Sequence, residues 1–115
     1  MLLFHATTAE AADAIARGGF RDAEGSYMLV GATLRGVFVA DEPLTVNEGC
    51  KGEDLVAIEL PAEVDLGDFE LVEDGKGYRE WCVPAGLLNA GAIRRLSEDE
   101  AEAAREDALL RRCVQ

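Results

Sequence analysis

This sequence predicts an α+β domain around a mainly antiparallel sheet, with one helix near the N-terminus and another at the C-terminus. Three observations carry that expectation. Short apolar runs separated by turn-forming residues fill the middle of the chain. Two capping signatures, Thr7-Thr8-Ala9-Glu10 and Ser97-Glu98-Asp99-Glu100, each put a carboxylate three residues after a hydroxyl, ahead of a helical pattern. The length of 115 residues, 49% of them apolar and 30% charged, suits one core with a wetted surface.

Leu2, Leu3, Phe4 and His5 read as a buried strand that delivers His5 to a sheet end. Thr7 serves as the N-cap of the helix that follows, and Ala12, Ile15 and Ala16 fall on one face of it. Gly18 and Gly19 stop this helix, and Phe20 packs back onto it. Tyr27–Val30 and Gly36–Ala40 are the next strands, linked by Gly31–Arg35, and Asp41-Glu42-Pro43 breaks the pattern. Leu44–Lys51 is either a short helix or a loop. Leu55–Leu60 is the clearest strand and Pro61 ends it; Val64–Val72 holds one more around Phe69 and Leu71. After the turn Asp74-Gly75-Lys76-Gly77 come strands over Tyr78–Val83 and Ala92–Leu96. Residues 1–96 thus form a single domain. The helix over 97–115 starts with acids and ends with Arg111-Arg112, as its dipole favours, and Leu96 staples to Ala101. Its apolar stripe of Ala101, Ala104 and Ala108 is thin, so it packs weakly on the domain, mediates association or frays.

The charge balance excludes several functions. Asp and Glu number 23 against 11 Lys and Arg, a formal −12, and a field of that sign repels phosphate backbones and acidic membrane surfaces. Broad nucleic-acid binding is ruled out. No apolar run approaches the ~20 residues that cross a bilayer, and the opening residues lack the basic flank of a signal peptide, so a soluble cytoplasmic protein is expected. Cys50, Cys82 and Cys113 are too scattered, and His5 too isolated, for a disulfide framework or a zinc site, so no metal is expected.

Few residues remain to carry chemistry. His5 either satisfies a backbone carbonyl at its strand end or enters a site. Strand alternation puts Tyr78, Glu80 and Cys82 on one face and Arg79, Trp81 and Val83 on the other. Glu80 is then on a solvated face or held in a cleft.

Three segments taken together resemble the ADP-ribosyltransferase family, in particular its diphtheria-toxin-like branch with a His-Tyr-Glu constellation. Leu3-Phe4-His5-Ala6-Thr7, followed by a helix and Gly-Gly-Phe, is similar to that family's opening His-Gly-Thr strand. Arg35-Gly36-Val37-Phe38-Val39-Ala40-Asp41, with Asn47 shortly after, resembles the Gly-Ile-Tyr-Phe-Ala-Asp strand of the poly(ADP-ribose) polymerase branch. Glu80-Trp81-Cys82-Val83-Pro84 looks like the glutamate-bearing strand of bacterial toxins. The order and separations match over about residues 2 to 84.

The resemblance implies a split antiparallel sheet and NAD as substrate. Breaking the nicotinamide–ribose bond builds positive charge on the ribose, and Glu80 matches the glutamate that stabilises it from the 2′-hydroxyl. His5 matches the histidine that hydrogen-bonds the adenosine ribose, the backbone at Ala6 the glycine that holds the nicotinamide amide, and Phe38 the stacking tyrosine. Thr7, Arg35, Gly36 and Tyr78 complete the cofactor-binding set by their places in the three motifs. Ala6 for glycine and Phe38 for tyrosine depart from the pattern, and Tyr78 stands where arginine- and asparagine-modifying members carry Glu or Gln. The implied activity is mono-ADP-ribosyl transfer to an unassigned macromolecular or small acceptor, or hydrolysis of NAD. RNA 2′-phosphotransferases also open with a histidine strand but need several arginines, whereas here Arg35 stands in the second motif and Arg79 just before the third. The third alternative is a non-catalytic module that docks a basic protein partner through the acidic stretch between Glu53 and Asp74. Because NAD carries a diphosphate, the NAD reading also expects the acids to face outward and the cleft at Arg35 and Arg79 to be neutral or locally positive.

Overall fold

A computed structural model describes residues 1–27, 32–45, 50–73, 75 and 77–113. The elements run β1 (Leu2–Thr7), α1 (Ala9–Gly18), β2 (Ala23–Tyr27), β3 (Ala32–Ala40), β4 (Asp54–Glu59), β5 (Glu80–Val83), α2 (Ala85–Asn89), β6 (Ala92–Arg95) and α3 (Glu98–Cys113). The six strands form one antiparallel sheet in the order β2-β3-β1-β4-β6, with β5 also paired to β3. The α+β class and its antiparallel sheet agree with the sequence.

The sheet is apolar on both faces because both are covered. On one, Leu3, Val39, Val56, Ile58, Trp81 and Val83 pack with Ala12 of α1, Phe20 and Leu88 of α2. On the other, Phe4, Leu55 and Ala57 pack under Leu96 and Ala101, with Ala104 against them. That sandwiching makes β4 buried at Leu55, Val56, Ala57 and Ile58 in succession, the unbroken run expected of a central strand. The α3 stripe is therefore used for docking, and Ala101 and Ala108 are only 6% and 5% exposed.

Ser97 caps α3 in both directions. Its Oγ accepts from Glu100 N at 3.1 Å while Glu100 Oε1 accepts from Ser97 N at 3.0 Å, a reciprocal box that contributes about 1 kcal/mol. At α1 the register differs from expectation. Thr8, not Thr7, is the N-cap and accepts from Ala11 N at 3.2 Å, because Thr7 still belongs to β1, opposite Asp54. Ala16 is exposed and does not share the buried face of Ala12. Gly19, at φ +82°, ends the helix as expected.

Other boundaries shift for tertiary reasons. β2 covers Ala23–Tyr27, so the expected strand over 27–30 meets it only at Tyr27; residues 28–31 lie outside those described, as do Asn47 and half of the doubtful segment 44–51. Ala32–Arg35, expected as a link, is strand because it pairs with β2 from Tyr27↔Ala32 to Ala23↔Gly36. The strand expected near Phe69 is a 3-10 turn over Gly67–Phe69 followed by a single bridge, Glu70↔Trp81. Tyr78 and Arg79 precede β5 rather than joining it. The short helix α2 was not expected, since its cap is not local: Asp22 Oδ1 accepts from Ala85 N at 2.7 Å, across 63 positions.

Candidate functional site

A seam between β1 and β3 organises the candidate residues. β1 pairs with β4 along its whole length, but with β3 only at Phe4↔Ala40. Past that point the two strands have no register pair. Leu55 O accepts from Leu96 N, so Leu55 directs its main-chain groups to β6 and Ala6 opposite it directs its own away from β4. The N–H and C=O of Ala6 thus face the seam. Asp41 N donates to Arg79 O on the β5 side, so alternation turns the Phe38 main chain toward the seam as well.

His5 lies in this opening. Its Nδ1 is 2.7 Å from Phe38 O, and since a carbonyl only accepts, Nδ1 carries the hydrogen. The neutral ring then offers Nε2 as an acceptor. Phe20 meets the imidazole edge-on, with centroids 5.3 Å apart and planes at 89°. Burial lowers the pKa of His5 below the usual histidine value, against the Phe38 hydrogen bond, which raises it, and with a smaller lowering from Lys51. The carbonyl-satisfying role that its position suggested is filled by Phe38, and Nε2 has no partner among the described residues.

Glu80 and Phe38 are half-buried on neighbouring strands. The registers Phe38↔Cys82 and Ala40↔Glu80 put both, with Cys82, on the sheet face that also bears Phe4 and Ala6. Ala40 between β1 and β5 is only a methyl group, and Glu80 sits level with it on β5, one strand from the seam at a spacing of ~4.8 Å per strand. His5 belongs by alternation to the opposite face, with Leu3 and Val39. One ligand can therefore touch His5 and Glu80 only by entering the seam.

The remaining candidates separate. Gly36 is buried at φ +151°, where a Cβ would come within 3.0 Å of Cys82 Sγ and of Val83 O. Thr7 is buried beside β4, Arg35 is exposed opposite Glu24, and Tyr78 is half-buried outside β5. Arg79 is not an unpaired positive charge in the cleft. Its guanidinium forks onto Glu70, with Nε 3.0 Å from Oε2 and Nη2 2.7 Å from Oε1, and lies 5.0 Å over the Trp81 ring. That pair holds Glu70 below the usual carboxylate range, and Trp81, over which the guanidinium lies, is on the face of β5 opposite Glu80 by alternation. Burial first, then the charges of Asp22 and Glu80, push the Cys82 thiol up, which keeps it protonated and a poor nucleophile.

Motif reading missed Phe20, Asp22 and Asn89. Asn89 clasps Phe20, accepting from its N at 2.7 Å and donating to its O at 2.9 Å, and so fixes the ring against His5. Only the Gly-Gly-Phe turn hinted at this. Among the described residues no group of three or more His, Cys, Asp or Glu is placed to hold a metal ion, and no helix is long and apolar enough to cross a membrane. Comparisons with protein-family models, with curated proteins and with solved structures return no match.

Proposed function

We propose that this chain consumes NAD, transferring ADP-ribose to an acceptor or to water. The observation that carries the reading is the seam itself: the Ala6 main-chain amide and the His5 ring converge on it, and Glu80 stands one strand away. An N–H beside a C=O matches the carboxamide of nicotinamide, which accepts and donates at once. His5 Nε2 accepts a hydrogen bond from a ribose hydroxyl. Phe38 supplies an aromatic surface for the departing ring. The Glu80 carboxylate orients the 2′-hydroxyl and lowers the energy of the positive ribose as the glycosidic bond breaks. The 2′-phosphotransferase alternative is weakened, because Glu70 already neutralises Arg79.

Nicotinamide release from NAD, followed with the native chain and with Glu80→Gln, tests the proposal. The expected result is release that falls about 100-fold or more in the variant, with NAD binding largely kept. Absence of both NAD binding and nicotinamide release, or equal turnover in the two proteins, would sink it.

A further inference from the structure

A groove of about 930 Å³ lies away from the seam, between α3 and the ends of β4 and β6. Its floor includes Leu55 and Leu96, and Leu109 on its rim is 61% exposed; the next residue, Leu110, is 66% exposed. Around it stand Glu53, Asp54, Glu98, Glu100, Glu102 and Glu106, against Arg95 and Arg105 alone. Those arginines do not balance the acids. Arg95 pairs with Asp54 and reaches Asp13, and Glu100 is taken by Arg94. Among the described residues Glu53, Glu98, Glu102 and Glu106 pair with no cation. Arg105 donates through Nη2 to Glu53 O at 2.6 Å, and its buried Nε has no acceptor among the described residues.

We infer that this groove docks a basic, amphipathic segment of a partner protein. Two features select that occupant. The carboxylates that pair with no cation among the described residues require cations, and the exposed Leu109 on the rim requires apolar side chains. A second copy of this chain, itself at −12, would bring acids against acids. Nucleic acid is repelled by the same charge. The groove opens on the sheet face that carries Glu80, although its docking role stands without the NAD reading.

A fluorescent peptide of alternating lysine and leucine provides the probe, titrated by anisotropy at about 50 mM and about 300 mM NaCl. The native chain should bind it, more weakly at the higher salt. Combined E98Q, E102Q and E106Q substitutions, all on exposed helical positions, should weaken binding about tenfold. A control that removes three exposed acids elsewhere, E63Q with D65N and D68N, should leave it within about twofold. The inference is overturned if the control weakens binding as much as the groove variant, if the groove variant binds like the native chain, or if a glutamate–leucine peptide binds equally well. Leu109→Ser, which adds no charge, should also weaken the complex.

Discussion

His5 shows how one side chain joins two strands that the ladder leaves apart. Its Nδ1–H fills the hydrogen-bond position of Phe38 O, and its ring packs on Phe20. Burial lowers its pKa from 6.5, so the unfolded chain takes up the proton first as the medium is acidified. The stability owed to the neutral ring is complete above about pH 6.5 and is lost as pH falls toward the folded value. The loss is at most about 1.4 kcal/mol per pH unit. His5→Asn keeps a donor for Phe38 O but cannot titrate. Urea unfolding at about pH 7.5 and about pH 5.5 should show a larger loss in the native chain than in the variant, the carboxylates common to both cancelling. Equal losses would remove His5 as the source.

At the level of elements, β3 is the strand on which the site depends. It pairs with β2 up to Gly36 and with β5 from Val37, while touching β1 at Ala40 alone. Gly36 marks the exchange, at φ +151° and with Cys82 and Val83 closing on its α-carbon. Its place in the second motif thus has a backbone reason that needs no ligand. Gly36→Ala should cost about 1–3 kcal/mol in unfolding free energy, from strain and from displacement of β5. A loss below the error of the melt would mean that β3 does not bend there. Local chemistry read the other elements unevenly. The Ser97 box was legible because both partners are within four residues, whereas the Thr7 and Thr8 hydroxyls are interchangeable in sequence, and only the pairing of Thr7 with Asp54 assigns the cap to Thr8.

Across the whole molecule, the −12 charge is partly organised by ion pairs. Arg79 with Glu70, Arg94 with Glu100 and Arg95 with Asp54 each consume a cation, which leaves Glu98, Glu102 and Glu106 of α3, and Glu63, Asp65 and Asp68, mutually repelling. Added salt screens that repulsion more than it weakens a few exposed pairs. Raising NaCl from about 10 mM to about 300 mM should therefore raise the Tm by a few degrees. An unchanged or lower Tm would show that the pairs outweigh the repulsion.

The sequence by itself determined the class, a central strand within one residue of its place at Asp54–Glu59, the Gly19 stop of α1 and the Ser97 box of α3. These follow from signals that span only a few positions: periodicity, a helix-ending glycine and hydroxyl-to-carboxylate spacing. The tertiary structure alone decided the seam at Ala6, the faces of His5 and Glu80, the capture of Arg79 by Glu70 and the helix at Ala85. Each depends on which strand lies beside which, and on partners such as Asp22 and Ala85 that are distant in the chain. Alternation along one strand fixes relative faces within it; register between strands, set by the closing of the whole sheet, fixes which faces coincide.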